Sequence, residues 1–442
     1  MVSRITEGAA LFSGAMALSA GADLQQARQV GKNCGEMLRA MGINVNFAPV
    51  LDVNIEPMNP IIGNRSYGDD PQRVADVGCA LMEGMVEGGV IATLKHYPGH
   101  GNVNIDSHLD LPVNHTDPAV LEKTEFLPFQ QAFRRGAPAL MSCHIVFPKI
   151  DPELPATLSP AIIGDLLRKK QGFDGLVFTD CMEMDAIQKG WGMARGAVLA
   201  VAAGCDVLCI SHHLEQVQSA VEAIEQAVAD GIIPRSRIQE SYDRIMAAKK
   251  KMGLLEMQQV SLEQAEAVIH DEEKIALHKQ VARNSVTLLC DKGGLSALQQ
   301  AKKPMILAPV FQSSTGVEDK EYDGRSFARS AGAALGWDFV EYPMTPTEEE
   351  RAAVLAAVSQ ADALVRGLYN CRFRESQRAL VEQVFGKGIP VVAALLGGPY
   401  DVPYAAKADA AVCCYEYTPL AVSALVEALR TGEFYGKLPI KL

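Results

Sequence analysis

Five nearly continuous apolar runs, separated by helical patterns, constrain the fold of this chain more than any other feature. They read "INVNFAPVLDV" (43–53), "GVIATLKHY" (89–97), "PALMSCHIVF" (138–147), "DGLVFTD" (174–180) and "DVLCIS" (206–211). Runs of this length without polar alternation are expected of strands covered on both faces. Between them lie "LQQARQVGKNCGEMLRAMG", "PQRVADVGCALMEGMVEGG" and "LEQVQSAVEAIEQAVADG", closing on glycine, a usual helix stop. Strand, helix, strand, repeated, calls for a parallel sheet with crossover helices. The polar residues gather where these strands end: Asp52, Lys95, His96, His144, Asp180, Ser211 and His212. A (β/α)8 barrel carries its active site there, but a doubly wound sheet also binds ligands at strand C-termini, so this pattern leaves both folds open.

From "PRSRIQESYDRIMAAKKKMGLLE" (234–256) the chain turns into a charged helix, and "MQQVSLEQAEAVIHDEE" then reads as a surface linker. A second series of strands follows at 284–290, 304–310, 362–369, 389–396 and 408–414, again with helical segments between. With 442 residues the chain is long enough for two domains. The expected division is 1–233 for the first α/β domain, 234–274 for a helical linker and 275–442 for a smaller α/β sandwich domain.

Apolar residues make up 48% and charged residues 21% of the chain, which fits an ordinary globular protein rather than a disordered one. A formal net charge of -12 with no basic tract argues against a nucleic-acid partner. No apolar stretch reaches the roughly 20 residues of a membrane span. The ten cysteines show no CxxC pair, and most sit in apolar runs as small core residues, a usage that suits a reducing cytoplasm. No signal peptide is visible after Met1.

The loop "KHYPGHGNVNIDSH" (95–108) holds three of the nine histidines. In extended backbone, residues two apart point the same way, so Asp106 and His108 can touch. A carboxylate beside an imidazole favours the imidazolium and fixes its tautomer, as a proton-donating histidine near neutral pH requires. The bland reading is a polar loop bonding locally. Against it, Pro98, Gly99 and Gly101 place a turn directly after a buried strand. His96, His100 and His108 could also converge on zinc, but the usual ligand spacing is missing, so no metal is expected. Asp180 closes the apolar strand of "LVFTDCMEM"; it can cap the next helix or, with an acid/base group at a neighbouring strand end, serve as a nucleophilic carboxylate.

Taken together, "KHYPGHG" with "DSH" four residues on, "NFAPVLDVN" and "GNRSYG" upstream, "FTDCMEMDAI" downstream and the closing "LGGPYDV" and "GKLPIKL" resemble the β-N-acetylglucosaminidase branch of glycoside hydrolase family 3. The resemblance covers nearly the whole chain. It implies a (β/α)8 TIM-type barrel followed by an α/β sandwich domain, and a retaining glycosidase that releases terminal β-linked N-acetylglucosamine from peptidoglycan fragments or chitin-type oligosaccharides. Asp180 resembles the nucleophile that forms a covalent glycosyl-enzyme, His108 the general acid/base and Asp106 its dyad partner. Arg65, Lys95 and His96 match positions that hold sugar hydroxyls, with a local salt bridge in the "GNRSYG" turn as the structural alternative for Arg65. No cofactor is implied, and the expected partner is a carbohydrate substrate; oligomeric state leaves no trace in the sequence.

The resemblance breaks at the start of the chain. Members of this branch carry a strand, a helix and most of a second strand, ending in a D-Q-E-G-G-like segment, before "VSRI", whereas this sequence opens "MVSRI". The expectation is therefore a barrel without its first strands, from a record that begins inside a longer gene. Two other functions fit the same residues. A phosphorylase would use phosphate in place of water, which a neutral imidazole base does not repel. A carbohydrate-binding protein without catalysis would fit the missing strands.

Overall fold

The computed structural model describes residues 8–103, 111–256, 260–313 and 320–441. The chain forms two compact units, Ala27–Ile269 and a second one that joins Met1–Gln26 to His270–Leu442.

In the first unit five strands lie side by side in chain order: β1 (Val45–Asn46), β2 (Ile91–Tyr97), β3 (Ala139–Ser142), β4 (Leu176–Cys181) and β5 (Val207–Cys209). All neighbours are parallel. They form the curled half-barrel of a (β/α)8 fold, with the helices Pro71–Glu87, Phe126–Arg134, Gly192–Ala203 and Leu214–Ala229 among the crossovers. Two strands are shorter than their apolar runs. After β1, Pro49 has no N–H for the ladder, yet its carbonyl still accepts from Lys95 N–H at 3.0 Å and that of Ala48 from Thr93 N–H at 2.9 Å, so the segment follows β2. Beyond β3 the run breaks, and Val146–Phe147 pairs antiparallel with Asp151–Pro155.

The helix Pro71–Glu87 starts where Asp70 caps Arg73 N–H at 2.8 Å with Pro71 in its first turn, the N-terminal signature of an α-helix. It lies against Leu24–Ala40 along a glycine seam. A Cβ on Gly84 would stand 1.9 Å from the Arg28 carbonyl oxygen, and one on Gly31 2.2 Å from that of Leu81. Gly35 and Gly88 extend the contact by one turn each. The stretch read as a surface linker carries the helix Leu262–Ile269, and the charged helix Arg235–Lys251 belongs to the first unit.

The second unit holds β6 (Thr287–Asp291), β7 (Pro304–Pro309), β8 (Asp338–Tyr342), β9 (Ala363–Leu368), β10 (Val391–Leu395) and β11 (Ala410–Cys413), ordered β8-β7-β9-β10-β11-β6. Only β6 runs antiparallel to its neighbour. Ile306, Val365, Val392 and Val412 face one core with Phe327 and Leu425, while Leu307, Leu364 and Val391 face another with Val354 and Leu380. Cover on both faces is why these strands lack polar alternation. Strand β8, "DFVEY", was not expected; it is an edge strand with its first two residues exposed, so no continuous apolar run announces it.

Candidate active site

The loop after β2 is built around a buried carboxylate. Asp52 accepts from His96 N–H at 3.1 Å, from His100 N–H at 2.7 Å and from the His96 ring at Nδ1, 2.7 Å away. A carboxylate only accepts, so His96 carries a proton on Nδ1 and keeps Nε2 for another partner. Burial pushes the Asp52 carboxyl up, but the charge and hydrogen bonds of His96 outweigh it and hold Asp52 below its ordinary value. His100 is buried, its ring edge-on to His96 with centroids 5.6 Å apart. Burial first, then the His96 charge, lowers its pKa to about 4. The Lys95–His96 peptide is cis. Gly101 lets the "PGHG" turn lie flat on the chain after β1, since a Cβ there would sit 1.8 Å from the Val53 carbonyl oxygen.

Asp180 stands at the end of β4, its Oδ1 accepting Cys181 N–H at 2.8 Å. Burial raises its pKa, yet the charges of His96 and His144, the Cys181 N–H and the Lys95 ammonium together bring it down to about 2. Of the residues expected to act, the fold thus brings Asp180, Lys95 and His96 into one electrostatic neighbourhood from β2 and β4, the strands on either side of β3. His144, buried beyond β3, has Nε2 3.0 Å from the Cys181 carbonyl and Nδ1 2.9 Å from Thr157 Oγ1. A carbonyl requires a donor, so Nε2 carries hydrogen, and the ring ties the residue after Asp180 to the segment that follows β3.

Arg65 lies in the short helix Gly63–Arg65 and donates from Nη1 to the Ile61 carbonyl at 2.9 Å. Its charge is among those that lower the His100 pKa. The turn is fixed from below by Asn59, whose Oδ1 accepts Ile61 and Ile62 N–H, each at 2.9 Å, and by Ser66 Oγ, which donates to the Asp52 carbonyl at 2.6 Å. Asp106 and His108 lie in 104–110, outside the described residues.

The C-terminal strand ends of a parallel barrel wall, where such a fold carries its active site, thus present an ionised carboxylate among cationic side chains. Residues 1–248 match the N terminal domain of glycosyl hydrolase family 3. The chain belongs to that family. Over its whole length it is also similar to a family 3 β-N-acetylglucosaminidase from Paenibacillus sp. str. FPU-7, at 36% identity, with 84% of that chain covered and a TM-score of 0.93. A β-N-acetylglucosaminidase/β-glucosidase of Cellulomonas fimi is 25% identical across 96% of this chain and 79% of its own length. A β-hexosaminidase of Xylella fastidiosa is 42% identical across 48% of this chain, a match spanning 62% of that protein.

For this family 3 chain, strand-end position was a usable signal for Asp52 and His144 as well, though neither was assigned a role. Glu183 gave none. It sits between two buried methionines in "CMEM", and its partners Ser211, His212 and His213 come from the end of the next strand.

Proposed function

We propose that the chain is a retaining β-N-acetylglucosaminidase in which Asp180 is the nucleophile, His108 the general acid/base and Asp106 the group that orients it. Arg65, Lys95 and His96 take the sugar hydroxyls. The observation that supports this most is the Asp180 carboxylate, kept ionised at a strand end by His96, His144 and Lys95; a nucleophile must carry its charge before substrate arrives. Asp180 attacks the anomeric carbon, the bond to the aglycone oxygen breaks, and that oxygen takes the proton of His108. Water then gives a proton to His108 and displaces Asp180, so the sugar leaves with its anomeric configuration retained. Peptidoglycan fragments or chitin-type oligosaccharides are the substrate class.

Hydrolysis of a chromogenic N-acetylglucosaminide tests this reading. Asp180→Asn is expected to lose roughly a thousandfold or more in kcat, and His108→Ala to lose far less on a substrate whose leaving group needs no proton. Free sugar as the product in phosphate buffer is expected, and a sugar 1-phosphate would make the enzyme a phosphorylase. Full activity in Asp180→Asn overturns the assignment.

A further inference from the structure

Three residues beyond Asp180, one carboxylate gathers a set of donors that the glycosidase reaction does not use. Glu183 is nearly buried and accepts from Ser211, His212 and His213 N–H at 2.8, 2.9 and 3.0 Å. The imidazoles of His212 and His213 also face it, each with Nδ1 2.8 Å from a carboxylate oxygen. The Cys181 thiol lies 3.6 Å from Glu183 Oε2 and 3.5 Å from Ser211 Oγ. The backbone bonds alone would explain Glu183 as the anchor of the loop after β5. They do not explain why a thiol and an imidazole share its outer oxygen.

One sulfur, one nitrogen and one oxygen, from Cys181, His212 and Glu183, lie within 4.8 Å of one another; among the described residues this is the one group of His, Cys, Asp and Glu side chains so placed. Tetrahedral zinc, with bonds of about 2.0–2.3 Å, sets its donors roughly 3.3–3.8 Å apart, a spacing the thiol and carboxylate already have. Imidazole, thiolate and carboxylate together suit zinc rather than magnesium or calcium, which take oxygen alone. Glu183 is held in place by three N–H groups, whereas the His212 side chain is 70% exposed and can shift by the fraction of an ångström needed. The site is therefore one rigid ligand with two adjustable ones, open to solvent for a fourth.

We propose that Cys181, Glu183 and His212 bind a thiophilic divalent cation, and that its occupancy slows turnover. On binding, the thiol proton leaves to solvent, and the His212 ring hydrogen moves from Nδ1 to Nε2. The second half of the proposal rests on Asp180 as nucleophile. Cys181 follows it in the chain and donates its N–H to Asp180 Oδ1, so a dication on the thiolate stands beside the attacking carboxylate and draws on its charge.

Zinc is the probe for calorimetry on the full chain, and cobalt supplies a thiolate charge-transfer band. One equivalent of zinc is expected to bind, with affinity falling roughly tenfold or more in Cys181→Ser and in His212→Gln. The cobalt band should vanish in Cys181→Ser and persist in Cys209→Ser and Cys290→Ser, which alter the other two half-buried cysteines. Circular dichroism checks that each variant is folded. Failure of the wild-type chain to bind zinc, or undiminished binding in both ligand variants, overturns the site. Zinc should slow hydrolysis by the wild type, reversibly with EDTA, and leave Cys181→Ser unaffected; binding without inhibition overturns the regulatory half. A chain that hydrolyses no N-acetylglucosaminide in EDTA refutes the glycosidase reading, while calorimetry still decides the metal.

Discussion

Asp180 owes its low pKa of about 2 to the charges of His96 and His144 from other elements, to the N–H of Cys181 on its own strand and to the ammonium of Lys95. A folded pKa that low leaves the carboxylate ionised throughout ordinary working conditions. The acid limb of kcat/KM, which reports the free enzyme's essential base, is therefore expected below about pH 4, and a limb near pH 6 would assign the nucleophile to another group. His278 shows the opposite case. It is buried against Phe12, ring centroids 4.3 Å apart, and neither ring nitrogen has a hydrogen-bond partner among the described residues. Burial, then the charge of Lys274, lowers its pKa to about 4. Between its unfolded value near 6.5 and that figure, the unfolded chain takes up a proton that the folded chain refuses, so stability falls as pH drops through this window. His278→Leu should remove up to roughly 3 kcal/mol of that acid loss, read as the difference between the two stability profiles in urea. Asp180, Lys95 and His96 could be marked as candidates because they close apolar strand runs in the sequence. Glu183 was not, because its meaning lies in a loop 28–30 residues further on.

At the scale of elements, contacts between helices and strands matter more than helical propensity. The glycine seam between Leu24–Ala40 and Pro71–Glu87 leaves no room for a methyl group, since a Cβ on Gly84 would press on the backbone of the facing helix. Gly84→Ala should cost about 1–3 kcal/mol or more, although in an isolated helix the same change favours folding; thermal denaturation decides between the two signs. Below the barrel, Asp206 binds three arginines: Arg168 at 2.6 Å, Arg237 at 2.9 Å and Arg244 at 3.3 Å. Ser241 Oγ and Val177 N–H complete its shell at 2.6 and 3.0 Å. Burial raises the Asp206 pKa, but Arg168 and these bonds bring it below its usual value; burial also lowers the pKa of Arg168, which offsets part of the gain. Asp206→Ala takes from three guanidinium groups the buried carboxylate they share and should cost about 3–5 kcal/mol, measured by chemical denaturation. Because the folded pKa is depressed, this contribution is present above the unfolded value near 4 and is lost as pH falls through the folded one.

For the molecule as a whole, the division into units does not follow chain order. The helix Ala15–Gly21 packs with the second unit: Met16 and Ala20 join Leu368, Leu395 and Tyr415 in one core, and Gly14 N–H donates to Glu416 at 2.9 Å. Lys437 N–H reaches back to the Ala20 carbonyl at 3.0 Å. Met16→Ala should cost about 2–5 kcal/mol and raise hydrogen exchange in β10 and β11, while β2 to β4 of the barrel keep their protection. Equal loss in both units would show that the segment supports the barrel instead. The sequence held no sign of this, because a short apolar helix at the start of a chain looks the same whichever core receives it.

By itself the sequence determined that the barrel strands are parallel and that acids and bases sit at their C-terminal ends, because strand and helix periodicity and turn residues are local properties written along the chain. Its motifs marked Asp180, Lys95, His96 and Arg65 as candidates. Tertiary structure alone decided which groups meet: the three arginines on Asp206, the thiol and imidazoles on Glu183, the four glycines between two helices and the N-terminal helix in the second core. Each of these joins residues far apart in the chain, and their packing, burial and charge depend on the whole fold rather than on any local pattern.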